Sequence, residues 1–233
     1  MTSRTGLDAA LATLEDARRR HRAVMSTSGD RAARAVRDQV VEGRLRSGTR
    51  LPEERLAAAI GVSRNTLREA LSQLVAERIL VREPHRGVVV ATPSVEDVRD
   101  VYRVRRIVEP AALREPPAPG TDVTALALAV DEGRTADAAG DVDGVASANQ
   151  HFHRAVVALA GSARLDAQMD QLLAEMRLFF HQMSRPDQFH RPYLEQNSDI
   201  AELVLAGDRA AAADLLEGYL AGAEEELVEA LGP

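Results

Sequence analysis

A mainly α-helical protein in two parts is what this 233-residue sequence predicts: a helix-turn-helix of three helices with a two-strand wing, then an all-α bundle. Three observations carry that expectation. Between Leu51 and Val90 the text LPEERLAAAIGVSRNTLREALSQLVAERILVREPHRGVVV sets two short amphipathic runs around a tight Gly61-Val62-Ser63 break and ends in two β-branched runs around the turn REPHRG. From Ser94 onward the apolar spacing is helical throughout, interrupted only by Pro, Gly and Asp punctuation. Charge divides at the same place. Residues 1–92 carry 17 Arg against 11 Asp and Glu (+6), and residues 93–233 carry 12 Arg against 25 (−13). A basic module joined to an acidic body suits a protein whose first part meets phosphates and whose second does not.

Residues 1–30 form an N-terminal extension in which 7–25 read as helix, ending in the basic cluster Arg18-Arg19-Arg20-His21-Arg22. Two roles stay open for it, a DNA-contacting arm or a packed accessory helix. The spacer STSGD follows, with Asp30 able to cap the next helix. The first module spans 31–92. Its first helix, 31–43, turns Ala35, Val36, Val40 and Val41 inward, and its second runs 53–60. Leu67, Ala70, Leu71 and Leu74 then share one face of a helix over 64–77. Ser63 stands at its N-cap, so Arg64, Asn65, Thr66 and Arg68 are left on the outer, N-terminal part. That is the end of a recognition helix that enters a major groove. Short strands at 79–81 and 88–90 flank the wing turn, and Ala91-Thr92-Pro93 leads out.

The second part, 93–233, reads as six helices at 94–114, 122–138, 142–160, 163–184, 191–206 and 208–230. Ser94-Val95-Glu96-Asp97 is a capping-box start, and Gly207-Asp208 joins a C-terminal glycine to a capping aspartate. Aromatic residues are only 3% of the chain, so Leu, Ala and Val fill the core.

Composition excludes several classes. There is no cysteine, hence no disulfide framework and no thiolate metal site. No run approaches the roughly 18 apolar residues of a membrane span, and the N-terminus lacks a signal-peptide core, so a soluble cytoplasmic protein without a membrane partner is expected. An enzyme using His153 with a nearby carboxylate lacks a nucleophile motif, a phosphate loop and a metal set.

The stretch LPEERLA, the run GVSRNTLREAL and the glycine after basic residues in His85-Arg86-Gly87 resemble the winged-helix domain of the GntR family of bacterial transcription regulators. The resemblance implies a DNA-binding set of Arg55, Ser63, Arg64, Asn65, Thr66, Arg68, His85, Arg86 and Gly87, with double-stranded operator DNA as partner and a homodimer as the working form. Residues 101–112, 149–165 and 203–216 resemble the FCD ligand-sensing domain of the FadR subfamily, in its six-helix VanR-like variety. Many such domains hold a divalent metal with one Asp and three His. The matching positions here are Asn149, His153, Asn197 and Tyr219, a neutral set in which only His153 keeps a ligand's identity, so no cofactor or metal is expected. His151, His181 and His190 could supply a rearranged metal site, but none lies at the matching positions.

Arg105 matches an arginine that often lines the pocket of this family, which makes Arg105, Asn149, His153, Asn197 and Tyr219 the expected effector site for a small polar or anionic metabolite, such as a carboxylate. The alternative is that Arg105 pairs with Glu109 along its own helix and the Asn/Tyr set satisfies itself. A ligand-responsive regulator, expected to act as a repressor, and a ligand-independent one with a vestigial pocket are both compatible with these residues.

Overall fold

The computed structural model describes residues 7, 8, 10–14, 28–183 and 186–232, with backbone alone for 186–188. The basic cluster at 18–22 lies outside the described residues. Contacts divide the chain into two units, Met1–Thr92 and Pro93–Pro233.

In the first unit, α1 (Ser28–Val41) buries Ala32, Ala33, Val36, Val40 and Val41. It begins before the capping position expected from sequence. Asp30 therefore lies in the first turn, where its charge suits the helix N-terminus, and Ala35 is only half-buried. Helix α2 (Glu53–Ile60) stops at Gly61, whose φ of 78° supplies the left-handed turn that lets its N–H donate to the Ala57 carbonyl. Helix α3 (Arg64–Ala76) starts on Ser63, whose Oγ accepts the Thr66 N–H at 3.1 Å. Leu67, Leu71 and Leu74 are fully buried with Leu56, Val36 and Val40.

Helix α3 ends in a Schellman turn, with Ile79 N–H donating to Leu74 O and Arg78 N–H to Val75 O, both at 3.1 Å. That turn holds Arg78 at a φ of 60°, where glycine is the usual occupant and a side chain costs roughly 1–2 kcal/mol. Burial of Leu74 and Ile79 on either side keeps the turn closed. Strands β1 (Leu80–Glu83) and β2 (Gly87–Val90) then pair antiparallel, Leu80 opposite Val90 and Glu83 opposite Gly87. The hairpin reaches further toward its tip than the β-branched residues alone indicated. Arg50 bridges Val89, and Leu51 N–H donates to Val88 O, so the chain entering α2 is stitched to the wing.

The described part of the N-terminal extension is helical and packed. Ala10, Leu11 and Leu14 are buried, and the exposed Asp8 reaches Arg55 at 2.6 Å.

Among its described residues the second unit holds six helices: α4 (Val95–Arg114), α5 (Ala125–Ala138), α6 (Val142–Ala158), α7 (Ala163–Phe180), α8 (Pro186–Ala206) and α9 (Arg209–Leu231). The expected caps form: Ser94 and Asp97 make a reciprocal capping box on α4, and Asp208 accepts the Ala211 N–H at 3.1 Å. Helix α8 starts at Pro186, not beyond it. Proline is tolerated in a first turn because its missing N–H would have no helical partner there, and α8 also absorbs Pro192. Helix α7 ends at Phe180, short of the length expected, and His181 caps it. Helix α4 packs along α9 and α5 along α6, with α8 touching α5, α6 and α9. Tyr102, Phe152, Leu173, Phe179, Leu216 and Leu220 occupy the shared core. No helix among the described residues is long and apolar enough to cross a membrane.

Candidate DNA interface and bundle site

Because α3 turns its leucines inward, the N-terminal residues of the same helix face solvent. Arg64 and Arg68 leave about three-fifths of their side chains exposed, at 61% and 59%. Asn65 is exposed between them, while Thr66 is half-buried and its hydroxyl meets the Ser63 hydroxyl at 2.9 Å. Ser63 and Thr66 thus hold the start of the helix, and Arg64, Asn65 and Arg68 form the free edge. Each arginine of this face has an acidic neighbour. Arg64 pairs with Glu54, Arg68 Nε donates to Glu53 at 2.7 Å, and Arg55 pairs with Asp8.

At the wing tip, His85 is exposed with a φ of 62°, and Gly87 has a φ of 81° with open space where a Cβ would stand. The turn conformation, not close approach of a neighbour, therefore accounts for Gly87. Arg86 is exposed and pairs with Glu83 at 2.5 Å.

In the bundle, helices α4, α6, α8 and α9 bring Arg105, Asn149, His153, Asn197 and Tyr219 together, with one further member, Glu109. Glu109 is wholly buried and uses both oxygens: Oε1 accepts from Arg105 Nε at 2.6 Å, and Oε2 meets His153 Nδ1 at 2.7 Å. His153 Nε2 lies 3.0 Å from the Tyr219 hydroxyl, which lies 3.0 Å from Asn149 Oδ1. Asn197 Nδ2 donates to the same Asn149 oxygen at 2.8 Å.

Burial alone would raise the Glu109 carboxyl, but Arg105 and His153 outweigh it and hold it below the ordinary value. Burial pushes His153 below its ordinary value despite the Glu109 carboxylate. Burial also opposes the charge on Arg105, and Glu109 more than restores it. Glu109 is then ionised and His153 neutral, which places the ring proton on Nδ1, toward the carboxylate. The Tyr219 hydroxyl is left with one proton and two acceptors, His153 Nε2 and Asn149 Oδ1.

Arg105 sits 4.8 Å above the Tyr102 ring, whose hydroxyl is pushed up to about 12 by its burial. Nη1 and Nη2 of Arg105 are buried and have no hydrogen-bond partner among the described residues. Both sequence expectations for Arg105 are therefore met in part, since Nε pairs along the helix while the fork of the guanidinium is unused. The sequence offers Glu109 only as a helix-turn partner of Arg105. The contact to His153, 44 residues away, has no local signal. His151 pairs with Glu132 at the surface, and His190 is buried against Phe180 and Phe189.

Residues 28–90 match the bacterial regulatory proteins of the gntR family, and residues 100–222 match the FCD domain. The chain belongs to the GntR family, in the branch that carries an FCD domain. A GntR transcriptional regulator of Rhodococcus sp. RHA1 superposes on this regulator with a TM-score of 0.80 at 38% identity, over 88% of this chain and 99% of that one. The HTH-type transcriptional regulator BphR of Paraburkholderia xenovorans (strain LB400) is 29% identical over 79% of each chain. The HTH-type transcriptional repressor GlaR of Escherichia coli (strain K12) is 26% identical over 80% of this chain and 90% of its own. Like them, this regulator is a transcriptional regulator and not an enzyme.

Proposed function

We propose that the regulator works as a cytoplasmic homodimer that places α3 of each chain in successive major grooves of a near-palindromic operator. Arg64 and Arg68 reach guanine edges or the phosphates beside them, and Asn65 reads an adjacent base. Ser63 and Thr66 fix the helix start against the backbone, and Arg55 adds a phosphate contact. His85, Arg86 and Gly87 carry the wing to the minor groove or its phosphates. The observation that carries this reading is one helix that buries Leu67, Leu71 and Leu74 completely while exposing both arginines at its capped end. Arg64→Ala and Arg68→Ala are each expected to cost about 1–3 kcal/mol of binding to a duplex selected by the protein. Gel shifts at several salt concentrations read this, and unchanged affinity in both variants refutes the assignment.

In the bundle, the buried and unused Nη groups of Arg105 favour a small anionic effector, a carboxylate among them, held beside Asn149, His153, Asn197 and Tyr219. The set does not fit a divalent cation. His153 spends both nitrogens on Glu109 and Tyr219, Asn149 Oδ1 is already shared, and burial drives the Tyr219 hydroxyl well above its ordinary value, away from the phenolate that a metal would need. The effector therefore binds without a metal bridge. By preferring one arrangement of the paired bundles it shifts operator affinity, and the name of GlaR favours repression as the resting sense. Thermal shift against a panel of small carboxylates separates the readings. Stabilisation by one compound, lost in Arg105→Met combined with Glu109→Leu, supports a sensor. Silence across the panel with operator binding intact favours a ligand-independent regulator whose polar core satisfies itself.

A further inference from the structure

We propose that Glu53 and Glu54 are specificity-determining residues that discriminate against unrelated DNA by repulsion. The proposal rests on the reading of α3 as the groove-facing helix. Both carboxylates lie in the first turn of α2 and hold the two arginines at the first turns of α3, Glu54 on Arg64 and Glu53 on Arg68. Glu54 is 77% exposed and Glu53 28%, so neither is tied into the core. A carboxylate in hydrogen-bond contact with a reading guanidinium must approach the duplex whenever that guanidinium does.

The chemistry of the duplex makes this approach selective. Phosphate oxygens, guanine N7 and O6, and thymine O4 are all acceptors and repel a carboxylate. Cytosine N4 and adenine N6 are donors and can accept its company. An arginine can exchange its glutamate for guanine O6 and N7, leaving the freed carboxylate to find a donor edge nearby. On an unrelated sequence a guanine and a donor edge seldom fall together within reach, so the arginine turns to phosphate and the carboxylate meets acceptors more often. Discrimination by an unfavourable contact with the wrong partner is then built into the same two helices that carry the favourable ones.

Their helix position supplies a second role of opposite sign. Acidic residues in a first turn stabilise α2 by interaction with its N-terminus, so neutralising them weakens the fold slightly. Loss of fold lowers DNA affinity, whereas loss of repulsion raises it. The two effects cannot be mistaken for one another.

The test uses the full chain carrying Glu53→Gln and Glu54→Gln together. Kd is measured by fluorescence anisotropy for a duplex selected by the protein from a random pool and for an unrelated duplex of equal length. Glu225→Gln combined with Glu229→Gln, two exposed residues of α9, is the control for net charge. The unrelated duplex is expected to bind about five- to tenfold tighter in the double variant, from two exposed pairs at roughly two- to threefold each plus relief of repulsion. The selected duplex gains the same pair term but loses the carboxylate contacts to its donor edges, so it is expected to change less than about twofold and the ratio between the two falls several-fold. Three outcomes overturn the proposal: no tightening on unrelated DNA, equal tightening on both duplexes, or the same gain in the Glu225→Gln, Glu229→Gln control. If Arg64→Ala and Arg68→Ala also leave binding unchanged, the groove-facing reading of α3 itself fails. If they weaken binding while the glutamine variant changes nothing, only the role of the glutamates fails.

Discussion

Glu109→Ala is expected to destabilise the C-terminal unit by about 3–5 kcal/mol, because it strands a buried guanidinium without its counter-charge. Among the described residues Glu109 is the one carboxylate that touches Arg105 and His153 together, and all three side chains are inaccessible to solvent. Removing it leaves Arg105 with three buried nitrogen groups and no acceptor, and leaves the Nδ1 proton of His153 without a partner. The cost is that of the orphaned groups, not the net worth of the pair, and a second variant tells these apart. Arg105→Met combined with Glu109→Leu removes both charges together and should recover most of the loss, since an apolar pair of similar volume fits where a buried ion pair did. Urea unfolding of the three proteins reads the cycle. A single variant costing under 1 kcal/mol, or a double variant as unstable as the single one, would mean that water reaches the site and screens it.

Acid should unfold the bundle early, and His190 is one reason. Burial, aided by the Arg177 guanidinium, pushes His190 down to about 3, against about 6.5 in an unfolded chain. The native state therefore refuses a proton that the unfolded state accepts. Stability is fully present above pH 6.5 and falls as pH drops toward 3, by at most about 1.4 kcal/mol per pH unit. Between pH 6.5 and 4.5 this amounts to about 2–3 kcal/mol from His190 alone. His153, lowered by its burial, acts in the same direction. Glu109, held below its ordinary value, adds a loss below about pH 4.5. Melting temperatures from pH 7.5 to 4.5 should drop steeply in the natural protein and less steeply in His190→Leu, which removes the titrating ring from its place against Phe180 and Phe189. Parallel slopes would show that His190 takes up its proton without unfolding.

Features governed by neighbours in sequence were legible before any coordinates. The Ser63 cap, the Gly61 stop, the leucine face of α3 and the boundary signals at Ser94 and Gly207-Asp208 all depend on contacts within about four residues. Less legible was whatever a distant element supplies. Asp8 meets Arg55 across 47 residues, and Glu53 meets Arg68 across 15, so the acidic lining of the arginine face could not be read from charge counts. The bundle shows the same division. Spacing and family resemblance named Arg105, Asn149, His153, Asn197 and Tyr219, and the fold does gather them. The role of Glu109 as the hinge of that network depends on α6 lying against α4. Arg78 was hidden for another reason. Its left-handed backbone is imposed by burial of Leu74 and Ile79, while its own side chain argues against it.

Guanine methylation interference on a selected duplex tests most directly whether α3 reads DNA through its arginines. Methylating N7 in the major groove should block binding at one or more guanines in each half-site, the two sets lying about one helical turn or a multiple apart. In Arg64→Ala or Arg68→Ala, one guanine of each half-site should become insensitive while the others still interfere. An absence of interference in the natural protein, or an identical pattern in both variants, would contradict groove reading by these side chains.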